Sequence, residues 1–376
     1  MLDRQNFRLD YLGTRVLPMP GGPLTRTRRL WRTPAIALAT FACAAALAPS
    51  ASARAVELPV SFEVTNTNTS RVPCPSDGRS YTVSGHLVAP DAVLGAGSRA
   101  VTLYLHGLGY GEFYWRFQAV PGYDFAAAQA RAGHTSVVVD RLGYDSSGHP
   151  DGRDSCTGSE ADVAHQIVGA LRSGSYRIGA RAGVPFTRVA LAGHSMGSVI
   201  SQVEAYSFRD IDALVVTAYA DQGQTPLLLS ESVKTGLVCA TGGQPAEGGG
   251  PGGYAYFGQT PEDSRAMMYH NARPRVIAAA DALRNLDPCG LIGSMPQTQV
   301  TNQVELGTVT VPVLIVCGSE DALFGADGCS RQQDRYSGSP DVSTVVIGGT
   351  GHALALERTR KRFQAAVSTW LKARGF

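Results

Sequence analysis

The sequence predicts an α/β protein built around a doubly wound, mostly parallel sheet. After residue 100, short runs rich in Val, Ile and Leu recur between Gly or Asp residues, as buried strands of parallel sheets do. Longer segments with helical periodicity separate most of them, and this alternation favours helices packed on a parallel sheet. We expect buried strands at 101–105, 136–139, 188–191, 213–217, 313–316 and 342–347, helices at 124–132, 159–171, 196–208 and 353–373, and antiparallel edge strands at 60–64 and 81–88.

The interval 220–307 breaks this alternation because it contains no convincing buried strand. Its glycine-rich run at 242–253 predicts little fixed structure. A structureless loop of this length is unusual in a compact domain, so we interpret the interval as an inserted lid with helices at 260–269 and 275–286. The lid lies between the sixth strand and the strand that follows it.

Charge is distributed unevenly along the chain. The formal net charge of the chain is +2, but residues 1–55 hold eight arginines and only two acidic residues. The remaining 25 basic and 29 acidic residues give residues 56–376 a formal net charge of −4. This balance gives no indication of a nucleic-acid partner.

The basic N-terminal segment has the order of an export signal. Four arginines at 26–32 precede an apolar run at 35–48 and then small residues. About fourteen apolar residues are too few to cross the ~30 Å hydrocarbon core. The pattern therefore predicts cleavage near 53–55 and a secreted or extracytoplasmic domain at 56–376 without a stable membrane span. Met19 is an alternative start, and the Sec and twin-arginine routes both remain open.

Cysteine usage agrees with an oxidising compartment. Cys43 lies inside the apolar run, which leaves six cysteines in an exported chain, and an even number favours disulfides. A free thiol is the alternative, above all for Cys317 inside an apolar strand. No spacing typical of metal ligands occurs, so we expect no metal site. Fifteen full pairings are open for Cys74, Cys156, Cys239, Cys289, Cys317 and Cys329.

A Gly-x-Ser-x-Gly motif lies between a predicted strand and a predicted helix. Its serine is Ser195, between Gly193 and Gly197. A tight turn at this point holds the serine in a strained conformation, and small neighbours leave room for its hydroxyl to project above the sheet. Ser195 is therefore the predicted nucleophile.

A serine hydroxyl needs a base that accepts its proton, and the base needs an acid that orients it. His352 follows the last predicted strand, at the same carboxyl edge of the sheet as Ser195. Asp321 follows the strand at 313–316, and the chain order is then serine, acid, histidine. We predict His352 as the base and Asp321 as the acid, with Glu320 as the main rival and Asp327 as a more distant one.

Acyl transfer also needs donors for the developing oxyanion. The amide of Met196, directly after the nucleophile, is one predicted donor. The amide of Leu108 is the other, because it follows the third strand and has the small Gly107 and Gly109 beside it. His106 is interpreted as a residue that braces this loop.

These residues together resemble the α/β-hydrolase family, and more specifically its serine esterase and lipase branch. The resemblance covers residues 80–376 in architecture and is specific at 106–107, 193–197, Asp321 and His352. It implies an ester hydrolase that needs no cofactor, with a lid at the place where the family inserts one. The lid sequence matches no subfamily, which leaves the choice of ester open.

An aromatic cluster follows the predicted oxyanion loop. Its side chains either line an apolar substrate pocket or pack beneath the lid. The histidines outside any motif are interpreted as structural or surface residues. The cluster comprises Tyr110, Phe113, Tyr114, Trp115 and Phe117, and the remaining histidines are His86, His134, His149, His165, His194 and His270.

The sequence thus predicts an exported carboxylic-ester hydrolase that acts on a small-molecule or lipid-like ester. An acyltransferase or a peptidase with the same three residues is the alternative among enzymes, because the motif indicates an acyl-enzyme and not what resolves it. A non-catalytic exported binding protein is the alternative of a different class.

Overall fold

The computed structural model describes residues 54–91 and 100–376. The predicted export signal at 1–55 lies outside these ranges except for its last two residues. Within them, no helix is long and apolar enough to cross a membrane.

The central feature of the fold is one large sheet, and the predicted mostly parallel α/β architecture is confirmed. Strands are present at all eight predicted places. The strands at 60–64 and 81–88 are antiparallel as predicted but lie inside the sheet, and the strand at 342–347, predicted as buried, is a half-buried edge strand. The order of the strands across the sheet is β14-β13-β10-β9-β3-β6-β2-β1-β7-β8, with parallel pairing from β14 to β6 and antiparallel pairing beyond. These strands are β1 (Ala55–Thr65), β2 (Ser80–Pro90), β3 (Ala100–Leu105), β6 (Ser136–Val139), β7 (Arg177–Ile178), β8 (Arg181–Ala182), β9 (Arg188–His194), β10 (Ala213–Thr217), β13 (Val313–Gly318) and β14 (Val342–Ile347).

Helices flank this sheet, and two short two-stranded antiparallel sheets lie outside it. They pair β4 (Arg116–Phe117) with β5 (Tyr123–Asp124) and β11 (Tyr254–Ala255) with β12 (Asp287–Pro288). The helices are α1 (Phe125–Arg131), α2 (Thr157–Ser173), α3 (Met196–Phe208), α4 (Pro226–Ala240), α5 (Pro261–Met268), α6 (Pro274–Asp281), α7 (Cys289–Glu305), α8 (Ala326–Gln332) and α9 (Arg360–Ala373).

Tertiary contacts change the bounds of two predicted helices. The last helix begins at Arg360 rather than at 353, because residues 354–356 form a fully buried 3-10 turn. The helix predicted at 275–286 ends at Asp281, and beyond it the amide of Asn285 donates to the carbonyl oxygen of Gly109. In both places, burial and long-range hydrogen bonding outweigh local helix propensity.

The glycine-rich run at 242–253 has more fixed structure than predicted. Gln244 and Tyr254 exchange backbone hydrogen bonds, and the amide of Ala246 donates to the carbonyl oxygen of Pro251. A Cβ at Gly243 would lie 2.8 Å from the backbone of the buried Tyr254. Glycine at this position therefore permits close backbone packing rather than disorder.

The six cysteines form three pairs at disulfide distance, which selects one of the fifteen pairings. Their Cα atoms are 5.5 to 6.3 Å apart, inside the range that a disulfide spans. The free-thiol alternative for Cys317 is wrong. The pairs are Cys74–Cys156, Cys239–Cys289 and Cys317–Cys329.

Candidate active site

Ser195 occupies a strained turn between β9 and α3. Its φ of 53° and ψ of −118° lie in a region that residues other than glycine rarely adopt. A Cβ at Gly193 would lie 2.2 Å from the carbonyl oxygen of Gly197, and a Cβ at Gly197 would lie 2.3 Å from that of Leu105. Both flanking glycines are thus required by the packing of this turn, which places Ser195 at the carboxyl edge of the sheet.

His352 and Asp321 form a buried pair at the same edge. Nδ1 of His352 lies 2.9 Å from Oδ2 and 3.1 Å from Oδ1 of Asp321, and neither side chain is more than 1% exposed. The amides of Leu323 and Phe324 donate to Oδ1 of Asp321 and fix its carboxylate. The carboxylate therefore fixes the orientation of the imidazole and favours the tautomer with the proton on Nδ1.

The rival acids lie elsewhere. Glu320 is exposed and accepts a hydrogen bond from the Ser319 hydroxyl, and Asp327 is exposed on α8. Of the three acids, the structure brings only Asp321 onto the imidazole of His352.

The other ring nitrogen of His352 points away from this carboxylate. Its Nε2 is buried and makes no hydrogen bond within residues 54–91 and 100–376. His194, directly before Ser195, lies against the same imidazole, with ring centroids 5.1 Å apart and its Nε2 3.1 Å from the carbonyl oxygen of His352. The imidazole of His352 is thus packed directly against the turn that carries Ser195.

The aromatic cluster packs against His194, and none of its side chains lines the cavity that contains Ser195. Tyr114 stacks on His194 with ring centroids 4.0 Å apart, and Trp115 packs edge-on against Tyr114. Burial lowers the pKa of His194 well below its usual value, so this ring stays neutral. Of the predicted pocket residues, Tyr110, Tyr114 and Trp115 belong to the core and their rings pack on His194. Phe113 is partly buried and packs on Tyr110.

The two predicted oxyanion donors lie beside the serine. Leu108, Ser195 and Met196 line one cavity. Met196 is the first residue of α3, so its amide has no acceptor within the helix. A Cβ at Gly107 would lie 2.9 Å from Cβ of Ser195, which shows how closely the loop before Leu108 passes the serine.

A buried carboxylate that the sequence did not reveal braces this loop. Oδ1 of Asp287 accepts hydrogen bonds from the Gly109 amide at 2.6 Å and the Tyr144 hydroxyl at 2.9 Å, and its Oδ2 accepts from the Phe257 amide at 3.1 Å. Burial raises the pKa of Asp287 to about 6, and these hydrogen bonds oppose the shift. Asp287 thus ties the insertion to the residue after Leu108.

Arg141 extends this bracing to the start of the loop. It is fully buried and its side chain donates to the carbonyl oxygen of His106 and to the Tyr144 hydroxyl. Its amide donates to Nε2 of His106 at 3.1 Å. Glu160, 3.4 Å away, balances the guanidinium charge. His106 is therefore part of the hydrogen-bond network that supports the loop.

The cavity beside Ser195 has a volume of about 370 Å³. Helices α4 and α7, neither of which the sequence predicted, form much of its wall. Three uncharged polar side chains, Gln224, Ser232 and Gln299, interrupt an otherwise largely apolar lining. The apolar lining includes Val199, Tyr219, Leu228, Leu229, Val233, Phe257, Ile292, Met295, Pro296, Leu323 and Phe324.

The outer face of α4 is also apolar. Leu229, Val233 and Leu237 lie four residues apart on this helix and are 58%, 62% and 65% exposed. The first two also line the cavity, so the apolar lining continues onto the surface. This continuous apolar surface suits an apolar ligand better than a charged one.

Comparison with known proteins identifies relatives of this fold. A model of the alpha/beta hydrolase family matches residues 103–366. A thermophilic esterase from Thermogutta terrifontis is 17% identical, with 83% of this chain and 98% of that chain covered and a TM-score of 0.58. An esterase from Exiguobacterium antarcticum is 15% identical, with 78% and 96% covered and a TM-score of 0.56. A hydrolase from Pseudomonas aeruginosa is 15% identical, with 81% and 99% covered and a TM-score of 0.56. No curated protein sequence matches the chain.

Proposed function

The chain belongs to the alpha/beta hydrolase family and is a hydrolase, and from this premise we propose that it cleaves carboxylic esters through an acyl-enzyme on Ser195. One observation carries the proposal. The buried Asp321–His352 pair is packed against a strained, glycine-flanked serine at one edge of the sheet. Strained backbone conformations of this kind cluster at active sites, where they hold a side chain in the position that the reaction requires.

Each residue has a defined role in the proposed reaction. Nε2 of His352 accepts the proton of Ser195 as Oγ attacks the ester carbonyl carbon. Asp321 stabilises the imidazolium that forms, and the amides of Met196 and Leu108 donate to the oxyanion. The imidazolium then protonates the departing alcohol. Water, deprotonated by His352, attacks the acyl-enzyme. As the bond from the acyl carbon to Oγ breaks, His352 returns the proton to Oγ, which releases the acid and restores Ser195.

The cavity supports an ester with an apolar chain as the substrate. Its lining beside Ser195 is largely apolar and carries no ionisable side chain other than the Tyr219 phenol. Burial raises the pKa of that phenol well above its usual value, so it stays neutral. A hydrocarbon chain would therefore be desolvated without leaving a charge unpaired.

The proposal extends to the insertion and to export. Residues 220–307 would act as a lid, because α4 and α7 form one wall of the cavity. Residues 1–55 would act as an export signal cleaved near 53–55. Three cysteine pairs at disulfide distance support an oxidising destination.

Covalent labelling tests the nucleophile. We expect intact-mass analysis to find one fluorophosphonate adduct on the wild-type protein and on Ser232→Ala, which changes another serine in the same cavity. Ser195→Ala should take up no adduct, and Ser195→Ala and His352→Ala should lose p-nitrophenyl ester turnover by at least about 10³-fold. A folded wild-type protein with neither adduct nor turnover would contradict the proposal and favour a binding protein.

Product analysis then separates the alternatives on the same three residues. The hydrolase should release free acid when alcohols or amines compete with water. Ester or amide products in large excess would identify an acyltransferase, and faster cleavage of peptides than of esters would identify a peptidase.

A further inference from the structure

One histidine and two acidic side chains form a cluster at the C-terminal end of α3, and Ser195 lies at the other end of this helix. His165 lies on α2, Glu204 near the end of α3, and Asp210 in the turn that follows. One ligand atom from each lies within 4.8 Å of the others. Nδ1 of His165 lies 2.7 Å from Oδ2 of Asp210. The ring of His165 stacks on Phe208, with centroids 4.1 Å apart, which fixes the direction of Nδ1.

Three carboxylate oxygens in this cluster lack donors. Glu204 is fully buried, and neither of its carboxylate oxygens has a hydrogen-bond partner in the described part of the chain. The same holds for Oδ1 of Asp210. A buried carboxylate without donors is costly, and two such groups side by side also repel each other. Burial and the adjacent Asp210 together raise the pKa of Glu204 well above its usual value.

The charge of the nearby Arg172 guanidinium opposes the rise in the pKa of Glu204 but does not outweigh it. Arg172 donates to the backbone carbonyl oxygen of Asp210 and to the carboxylate of Asp212. It therefore makes no hydrogen bond with either carboxylate of the cluster. What would satisfy these oxygens is a positive group that can approach Glu204 and Asp210 together.

We propose that His165, Glu204 and Asp210 bind a divalent transition metal ion, with Zn²⁺ as the representative ion. Two carboxylates balance its charge, and one imidazole favours zinc over calcium or magnesium. The side chains of His165 and Asp210 are 39% and 25% exposed, which gives the ion a path from solvent and leaves room for a water ligand. The bound ion would fasten α2 to the end of the helix that begins beside Ser195.

Zinc binding is measured directly on tag-free, folded protein treated with a chelator and then dialysed. Calorimetry with Zn²⁺ alone should give one site in the wild-type protein, and metal analysis after gel filtration should give one equivalent. His165→Ala and Glu204→Gln should each weaken binding at least tenfold, since each removes one of three ligands.

The chain offers a matched control. Nδ1 of His86 pairs with Glu112 at 2.8 Å, as His165 pairs with Asp210, but His86 belongs to no group of three possible ligands in the described residues. His86→Ala should bind zinc as the wild-type protein does. Equal loss in His86→Ala would mean that the binding arises elsewhere and would overturn the proposal.

Thermal unfolding gives a second readout that does not depend on ester turnover. Zinc should raise the melting temperature of the wild-type protein and leave that of Glu204→Gln unchanged. In chelator, Glu204→Gln should melt at or above the wild-type temperature, because the amide keeps the shape and removes a buried acid. The absence of saturable binding in folded wild-type protein, or equal binding by Glu204→Gln, would refute the metal site.

Discussion

The carboxylate of Asp287 accepts a hydrogen bond from the amide of Gly109 at 2.6 Å, although 178 residues separate the two in the chain. Gly109 directly follows Leu108, a proposed oxyanion donor. Asp287 therefore holds the loop on which the proposed chemistry depends, and we propose it as a positioning residue for that chemistry.

Asp287→Asn should lower kcat by about 10- to 100-fold, with a smaller change in KM. The amide group replaces one of two accepting oxygens, so a hydrogen bond from Phe257 or from Gly109 and Tyr144 is lost and the donor geometry shifts. Steady-state kinetics with a p-nitrophenyl ester measure the effect. Glu262→Gln, an exposed carboxylate on α5 in the same insertion, is the control and should leave kcat unchanged. A variant with unaltered kcat would remove Asp287 from this role.

The same carboxyl should make stability depend on pH. Its pKa is about 6 in the folded protein, above the usual 3.8, so the folded state holds the proton more tightly. Its contribution to stability is then fully present below about pH 4 and is lost as pH rises through about 6, by on the order of 3 kcal/mol. Denaturant unfolding at pH 4.5 and 7.5 should show Asp287→Asn gaining stability relative to wild type at the higher pH. A constant difference would argue against the raised pKa.

Gly197→Ala should destabilise the fold by about 2 to 3 kcal/mol, because its Cβ would lie 2.3 Å from the carbonyl oxygen of Leu105. The matched control is Gly169→Ala on α2, where a Cβ meets nothing within 4 Å. The control should gain up to about 1 kcal/mol from helix propensity. Urea unfolding of both variants tests the contrast, and similar effects at both sites would contradict it.

Leu228→Trp should shift chain-length preference toward short esters. Leu228 lines the cavity from α4, so a larger ring reduces the space beside Ser195. We expect kcat/KM to fall by about tenfold or more for an octanoate and to change little for an acetate, since each excluded methylene removes ~0.8 kcal/mol of burial. Uniform loss for both esters would indicate that the acyl chain binds elsewhere.

Replacing both Cys239 and Cys289 by Ala should cost about 4 kcal/mol in the chain-entropy model, because the disulfide closes a segment of 50 residues. The pair joins the end of α4 to the start of α7, the two helices of the cavity wall. Chemical denaturation measures the loss, and ester profiles should show weaker discrimination between chain lengths. Wild-type stability in the double variant would mean that the pair does not form.

Local pattern was sufficient for the sheet and for the candidate catalytic residues. Strands β13 and β14 are present where runs of Val, Ile and Leu predict them. Strand β13 is buried along its whole length, as its continuous apolar sequence predicts, whereas β14 forms the edge of the sheet and is only partly buried. The carboxyl ends of parallel strands meet at one edge, so the chain order of Ser195, Asp321 and His352 already indicates a common site. Their assignment as a catalytic triad stays a proposal for the labelling experiment to test.

Other features depend on contacts between distant segments, and no local spacing encodes those. Asp287, the cysteine pairing and the cavity wall from α4 and α7 emerge only when the insertion packs on the sheet. The aromatic cluster could line a pocket or fill the core, and packing on His194 places it in the core. His165 and Glu204 carry no motif, yet helix packing brings them together. The sequence by itself determined the sheet and the order of its strand-end residues, while tertiary packing decided which side chains support them and what surrounds them.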